Sequence, residues 1–174
     1  MNRFIKFFAL LAFGYLFFNS SYALEIGAAA PLFSLKNQDG KLISLENNKG
    51  KTWTVVYFYP KAGTPGCTTQ ACAFRDSVKV INKEGAVVYG ISTDSVLDLK
   101  EFQNKHHLNF DLLSDEDGNI SNTYGTKMPI LTMSKRVTFI IDDKLIIRSI
   151  DENVDPAMDA QKVSNTIKQI RSGK

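Results

Sequence analysis

The chain has 174 residues, 44% of them hydrophobic, and a formal net charge of +3 at pH 7. Its lysines and arginines form no basic run and no patch interleaved with aromatic residues, which argues against nucleic-acid binding, since that function depends on clustered cations. No internal repeat, low-complexity tract or linker divides the chain, and its length suits one domain.

The N-terminal region has the pattern of a signal peptide. A short basic start with Arg3 and Lys6 precedes an apolar stretch over residues 7–18 and a small-x-small end. The apolar stretch is shorter than the roughly 20 residues that a membrane-spanning helix needs, so cleavage is favoured over an uncleaved anchor. We therefore expect a signal peptide over residues 1–23 and a mature domain over residues 24–174. The mature protein is expected to be exported to a bacterial periplasm, with no stable membrane association after cleavage.

The mature region is predicted to alternate strands and helices. In chain order, the predicted elements are an edge hairpin over 33–45, a buried strand over 53–59, a helix over 68–80, a strand over 87–92, helices over 96–105 and 119–124, paired strands over 137–142 and 145–149, and a helix over 155–171. In the last helix, Asp155 is predicted to be the N-cap and Met158 to face inward. This order of elements indicates an α/β domain with a parallel core.

The two cysteines lie where the strand over 53–59 passes into the next helix. Pro60 ends the strand, and Cys67 stands at the start of the helix. A helix N-terminus offers unpaired N–H groups and a partial positive charge, which stabilise a thiolate. Because the thiolate is the nucleophilic form of cysteine, Cys67 is placed to react near neutral pH. Thr64 brings a hydroxyl near this sulfur.

Cys72 follows Cys67 by five residues. On a continuous helix, its side chain would lie about 7.5 Å further along the axis and about 140° around it. A disulfide needs Cα atoms within roughly 7 Å, so the pair can form one only if the turn between them unwinds, which favours a redox switch. A structural disulfide is the alternative, since two cysteines in a secreted protein commonly form one.

Neither of two candidate metal sites has a suitable pattern. No further zinc ligand lies at a suitable spacing from His106 and His107 in the sequence. A cation is favoured at a helix C-terminus, which explains why the two histidines occur there. The acidic segment over residues 114–119 lacks the alternating ligands and terminal glutamate of an EF-hand. No metal or bound cofactor is expected.

The segment VVYFYPKAGTPGCTTQACAFRD resembles the active-site signature of the peroxiredoxins, most closely the bacterioferritin comigratory protein or peroxiredoxin Q branch. The family's Pro-x-x-x-Thr-x-x-Cys pattern falls on Pro60, Thr64 and Cys67, and the second cysteine of many members of this branch falls on Cys72. The arginine that opens an R-x-T-F-x-I-D strand in the family is matched by Arg136 in RVTFIID. Further likeness over VVYGISTDS and FDLLSDEDGNISNTYG extends the resemblance to most of the mature chain.

The resemblance implies a thioredoxin-like fold, a central mixed sheet flanked by helices with an N-terminal β-hairpin, and a thiol-dependent peroxidase. Cys67 would attack a hydroperoxide and become a sulfenic acid, and Cys72 would then form a Cys67–Cys72 disulfide that a thioredoxin-like donor reduces. Thr64 and Arg136 would bind and orient the peroxide, and Arg136 would hold the thiolate ionised. Pro60 would shield the sulfur. The protein would be a monomer or weak dimer.

Two other functions stay open at this point. An exported thiol-disulfide oxidoreductase acting on protein thiols usually carries Cys-x-x-Cys, whereas the spacing here is Cys-x-x-x-x-Cys. A binding module with an inert disulfide would not depend on Cys67 for any activity. The exported location also requires a periplasmic electron donor in place of the usual cytosolic reductants.

The segment GTKMPILTMSK departs from the family pattern, which often has a tryptophan and a longer Gly-Lys-containing loop at this place. Its four large apolar residues either form a rim suited to organic hydroperoxides or a partner, or belong to the core. We favour the core assignment. These residues are Met128, Ile130, Leu131 and Met133.

Overall fold

The structure, a computed structural model, describes residues 24–173. The predicted signal peptide over residues 1–23 lies outside the described residues. Within the described range, no helix is both long enough and apolar enough to cross a membrane.

The described residues form seven strands and four α-helices. The strands are β1 (Ser34–Asn37), β2 (Leu42–Ser44), β3 (Trp53–Phe58), β4 (Ala86–Ser92), β5 (Asp111–Ser114), β6 (Val137–Ile141) and β7 (Ile147–Asp151). The helices are α1 (Pro65–Lys83), α2 (Val96–His106), α3 (Asn119–Thr123) and α4 (Asp159–Arg171), and a short 3-10 helix covers Leu45–Asn48.

The strands form one mixed sheet in the order β2-β1-β5-β4-β3-β6-β7. The inner strands β3 and β4 are parallel, as the alternation of strands and helices predicts, and β5, a strand that the sequence analysis missed, pairs parallel with β4. The other pairs are antiparallel, and the β1–β2 hairpin forms one edge of the sheet. The predicted arrangement of a mixed sheet with an N-terminal edge hairpin is confirmed.

Strand β3 is buried on both faces because helices or loops cover each side of the sheet. Val55 and Tyr57 point into one apolar cluster, to which α1, α2 and α4 contribute side chains. Val56 and Phe58 point into a second cluster on the opposite face, formed largely by β6, β7 and the N-terminal region. This alternation follows from the period of two of an extended strand. Strand β3 ends at the loop that leads to Cys67.

The last helix begins later than predicted. Helix α4 starts at Asp159 with Met158 as its N-cap, and Asp155, whose carboxylate accepts a hydrogen bond of 2.9 Å from the backbone N–H of Ala157, belongs to a separate turn before the helix. The assignment of Met158 to the core is therefore wrong, and its side chain is 53% exposed. The delayed start makes Asp159 the first residue of the helix and buries it.

The final strand is also displaced from its predicted position. Leu145, the expected first residue of that strand, has a positive φ of 62° and closes a turn through a hydrogen bond from its N–H to the carbonyl of Asp142. Regular pairing with β6 therefore begins only at Ile147.

Candidate active site

Cys67 lies in the first turn of α1, which begins at Pro65, three residues before the predicted start of the helix. Gly63 has a positive φ of 77°, which a glycine adopts without strain, and this bend turns the chain from β3 towards the helix. Thr64 is the N-cap, and Pro65 occupies the first helical position, where its missing N–H costs nothing. The Cys67 side chain is only 2% exposed and belongs to the apolar cluster beneath α1.

Arg136 reaches this buried sulfur from a distant part of the chain. Its Nη2 lies 3.4 Å from the Cys67 Sγ. Gly66 permits the approach, since a Cβ at that position would stand 3.2 Å from Nη2. A cation at this distance attracts negative charge on the sulfur. The helix N-terminus and the guanidinium therefore act on the sulfur in the same direction.

The other nitrogen of the guanidinium fork binds Gln70, a contact that sequence reasoning missed. Arg136 Nη1 donates a hydrogen bond to Gln70 Oε1, and Gln70 is fully buried. Gln70 lies one helical turn after Cys67, so the two side chains share a face of α1. A polar residue on an otherwise apolar helix face was the available sequence signal. Gln70 holds the guanidinium so that its second nitrogen meets the sulfur.

Thr64 and Pro60 lie in the loop before α1, both half-buried. The Thr64 hydroxyl donates a hydrogen bond to the carbonyl of Lys61 at 2.9 Å. Because its proton is used in this way, the hydroxyl oxygen has lone pairs free to accept a hydrogen bond from a ligand. Pro60 directly follows the last buried residue of the β3 segment.

Cys72 is half-buried, and both cysteines carry free thiols. The two residues lie on one continuous helix from Pro65 to Lys83. Their side chains therefore diverge as expected for a spacing of five residues. Bonding between the two sulfurs requires the helix to open between them.

Comparison with known proteins identifies the family. The profile described as the AhpC/TSA family matches residues 26–150. A Coxiella burnetii protein named putative peroxiredoxin bcp is 41% identical over 134 residues, which cover 74% of this chain and 88% of that protein. The chain belongs to the AhpC/TSA family.

Other relatives place this AhpC/TSA family member beside the peroxiredoxin Q proteins. The rice chloroplastic peroxiredoxin Q is 45% identical over 128 residues, which cover 73% of this chain but only 58% of the rice protein. The solved structure of peroxidoxin BcpB from Mycobacterium tuberculosis matches with a TM-score of 0.80 and 32% identity, covering 85% of this chain and 99% of that one. The predicted resemblance and the thioredoxin-like fold are confirmed.

A further solved structure is the bacterioferritin comigratory protein of Xanthomonas campestris, described for its alkyl peroxide reduction activity. It matches with a TM-score of 0.75 and 26% identity, covering 82% of this chain and 99% of that one.

In this AhpC/TSA family member, Asp94 holds the loop over residues 59–64, which we call the catalytic loop. The Asp94 carboxylate is nearly inaccessible and accepts hydrogen bonds of 2.8 Å from the Ala62 N–H and the Ser92 hydroxyl. It also pairs with the Lys61 ammonium at 2.6 Å. Hydrogen bonding to Asp94 raises the pKa of Lys61 above its ordinary value. The residue joins the end of β4 to the backbone before Thr64, a role the sequence did not reveal.

The apolar segment before Arg136 is exposed, so its assignment to the core is wrong. Ile130 is 94% exposed and Leu131 is 52% exposed, while Met128 and Met133 are half-buried. The segment folds as a narrow hairpin loop, in which the Met128 N–H donates to the Met133 carbonyl at 2.9 Å. That pairing directs the tip of the loop into solvent. We call residues 128–133 the apolar rim.

The apolar rim is joined to the end of β4. The Thr93 hydroxyl donates a hydrogen bond of 2.5 Å to the carbonyl of Thr132. Asp94, which holds the catalytic loop, is the next residue of the chain. The exposed apolar tip and the loop that carries Thr64 therefore share one support at the end of β4.

His106 ends α2, but its electrostatic surroundings differ from the expectation. Burial lowers the pKa of His106, and the nearby cations Lys105 and Arg75 lower it further. A positive charge on this imidazole is therefore disfavoured despite its place at the helix C-terminus. Within residues 24–173, no group of three or more His, Cys, Asp or Glu side chains could hold a metal ion.

Proposed function

We propose that the protein is a thiol-dependent peroxidase that reduces hydroperoxides at Cys67. The observation that carries the proposal is the contact between the Arg136 guanidinium and the buried Cys67 sulfur at the N-terminus of α1. Membership of the AhpC/TSA family and the peroxiredoxin names of its relatives support the same chemistry.

In the first step, the Cys67 thiolate attacks the terminal oxygen of the hydroperoxide. A sulfur–oxygen bond forms as the O–O bond breaks, and the leaving oxygen departs as water or an alcohol after taking a proton from solvent, which balances the proton that the Cys67 thiol released on ionising. The Thr64 oxygen accepts a hydrogen bond from the peroxide O–H, and Arg136 stabilises the charge that develops along the breaking bond. Cys67 is left as a sulfenic acid.

In the second step, the Cys72 sulfur attacks the Cys67 sulfenic acid, a disulfide forms and water leaves. The first turn of α1 must open, which breaks helical hydrogen bonds such as the 2.8 Å bond from the Thr68 N–H to the Thr64 carbonyl. A thioredoxin-like dithiol donor then reduces the disulfide by thiol–disulfide exchange. The cycle requires no bound cofactor.

The proposed substrates are hydrogen peroxide and organic hydroperoxides. The apolar rim exposes Ile130 and Leu131, and it shares its support on β4 with the catalytic loop. Exposed apolar side chains at a site favour ligands with apolar groups. The Leu131→Ser variant should therefore lose rate with a bulky hydroperoxide such as cumene hydroperoxide, relative to hydrogen peroxide. If the two peroxides react equally fast and the variant changes neither rate, the rim has no part in substrate choice.

We also propose that the protein acts outside the cytoplasm, as a monomer or weak dimer, after removal of residues 1–23. The basic start, short apolar stretch and small-x-small end support this location. Expression of the full chain in a Gram-negative bacterium should yield a periplasmic protein that begins near Leu24. A cytoplasmic protein that retains Arg3 would contradict export.

The proposed activity is tested by mixing the reduced protein with hydrogen peroxide. Trp53 stands at the opposite end of β3 from the catalytic loop and stacks against Arg171, so its fluorescence is a distant reporter. Peroxide consumption and intact mass are better measurements. Wild type should form an intramolecular disulfide, Cys67→Ser should consume no peroxide, and Cys72→Ser should stop at a sulfenic acid that dimedone traps. Equal consumption by wild type and Cys67→Ser would refute the proposal.

A further inference from the structure

Asp159 is a buried carboxylate to which the proposed reaction assigns no role. It opens α4 and is only 2% exposed. Its Oδ2 accepts a hydrogen bond of 2.6 Å from Gln70 Nε2 and another of 2.8 Å from the Thr138 hydroxyl. Burying a carboxylate is costly unless hydrogen bonds or charges compensate it, so its place beside the reactive site calls for a physical reason.

Gln70 links this carboxylate to the reactive sulfur. The amide donates through Nε2 to Asp159 and accepts through Oε1 from Arg136, whose other terminal nitrogen lies 3.4 Å from the Cys67 sulfur. An ionised carboxylate can only accept hydrogen bonds, whereas an amide has one donating end and one accepting end. Asp159 therefore fixes the amide so that its oxygen faces the guanidinium.

We infer that Asp159 is a positioning residue, which acts through Gln70 to hold Arg136 against Cys67. The inference rests on the proposed peroxidase function for its catalytic meaning, and on the hydrogen-bond chain for its geometry. The neutral Gln70 lets Asp159 orient the guanidinium without placing a negative charge in contact with it. The charge of Arg136 thus remains available to the thiolate and the peroxide.

The groups around Asp159 agree with this assignment. Asp151 on β7 acts on it with a negative charge, and Lys162 on α4, which pairs with Asp151 at 2.6 Å, acts on it with a positive one. Tyr57 on β3 is a further titratable group that interacts with Asp159, and it is neutral near pH 7 because burial raises its pKa far above the ordinary value. Burial raises the pKa of Asp159, while the hydrogen bonds from Gln70 and Thr138 act in the opposite direction.

A double-mutant cycle with Asp159→Ala and Gln70→Ala tests the chain of contacts. In a Cys72→Ser background without peroxide, each single variant should shift the ultraviolet thiolate titration of Cys67 to higher pH. In the otherwise native protein, each should slow reaction with hydrogen peroxide about 10- to 100-fold. The double variant should be no worse than Gln70→Ala alone, because the link to Arg136 is already broken.

Val163→Ala is the matched control, since Val163 is a buried residue of the same helix without a polar contact to the site. It should lose stability and leave the thiolate titration in place. If Asp159→Ala behaves like Val163→Ala, Asp159 is only structural. The same conclusion follows if the rate losses of Asp159→Ala and Gln70→Ala multiply in the double variant. If wild type consumes no peroxide, the peroxidase proposal fails, yet the titration still tests whether Asp159 acts on Cys67.

An exchange of the carboxylate and the amide tests the same inference without deleting a buried side chain. Gln70→Glu places two carboxylates against each other and should slow the reaction with peroxide. Adding Asp159→Asn supplies a donating amide to the introduced carboxylate, which can then accept from Arg136, so the double variant should react faster than Gln70→Glu. A double variant no faster than Gln70→Glu would overturn the inference.

Discussion

Arg136 Nη2 and Cys67 Sγ lie 3.4 Å apart although 69 positions separate the two residues in the chain. Antiparallel pairing of β6 with β3 produces this contact. Val137, the first residue of β6, stands opposite Phe58, the last residue of β3. Arg136 therefore lies at the end of the sheet where β3 leads into the catalytic loop. Strand β6 thus fixes the position of the cation beside the sulfur.

The shape of the guanidinium should matter as much as its charge. Arg136→Lys retains the cation, but a single ammonium cannot reproduce the planar fork that contacts Gln70 and Cys67 together. We expect the rate constant with hydrogen peroxide to fall about 10- to 100-fold. Arg148→Lys is the control, because Arg148 is a partly exposed residue that pairs with Asp142 at 3.8 Å. Equal rates for the two lysine variants would show that charge alone is enough.

Gly66→Ala should separate activity from stability. Replacement of a helical glycine by alanine normally stabilises a helix by about 0.5–1 kcal/mol, but the new Cβ would stand 3.2 Å from Arg136 Nη2. We expect thermal stability to be maintained while the reaction with peroxide slows by about threefold to tenfold. Thermal unfolding and peroxide consumption measure the two effects. An unchanged rate would mean that the guanidinium can shift without consequence.

Asp94→Asn should loosen the catalytic loop. The amide oxygen can still accept from the Ala62 N–H and the Ser92 hydroxyl, which both bind one carboxylate oxygen, but the NH2 group then faces the Lys61 ammonium and cannot pair with it. We expect a loss of about 1–3 kcal/mol in the free energy of unfolding and faster amide hydrogen exchange over residues 61–64. Lys100→Met removes an exposed ion pair and should change stability by at most about 0.5 kcal/mol. Equal exchange in the loop of both variants would contradict the role of Asp94.

His106 should make stability depend on pH in the mildly acidic range. Its folded-state pKa is lowered from the ordinary value of 6.5, chiefly by burial and then by Lys105 and Arg75. The unfolded chain therefore binds the proton first as the pH falls, so stability should decrease from pH 6.5 down to the folded-state pKa. His106→Asn should flatten this part of the curve of unfolding free energy against pH. The same slope in both proteins would exclude His106 as its source.

The local part of the site was predictable from the sequence. The apolar strand, Pro60, the glycine turn and the helix that starts beside Cys67 all lie within one continuous segment, where residue types restrict the backbone directly. Arg136 was predicted as a site residue only from its resemblance to a family motif. The sequence did not predict the contacts that orient Arg136. Gln70 and Asp159 are 89 positions apart and meet only when α4 packs on α1.

The remaining errors have related physical causes. Composition predicted an apolar rim or a piece of core over residues 128–133, and only the backbone pairing of Met128 with Met133 decides that the tip points outward. Asp155 and Pro156 suit a helix start equally well whether the helix begins at once or one turn later. The observed bond from the Ala157 N–H to the Asp155 carboxylate is compatible with both starts, so these two residues alone do not fix the helix boundary.

Helix α1 carries both cysteines on one uninterrupted run of backbone hydrogen bonds. In the proposed mechanism, the stability of its first turn determines how long the sulfenic acid persists before Cys72 reaches it. A more stable turn would hold Cys72 away for longer and give a second peroxide molecule time to convert the sulfenic acid into the irreversible sulfinic form. A less stable turn would protect the enzyme from this inactivation but would weaken the helix terminus that helps to activate the thiol.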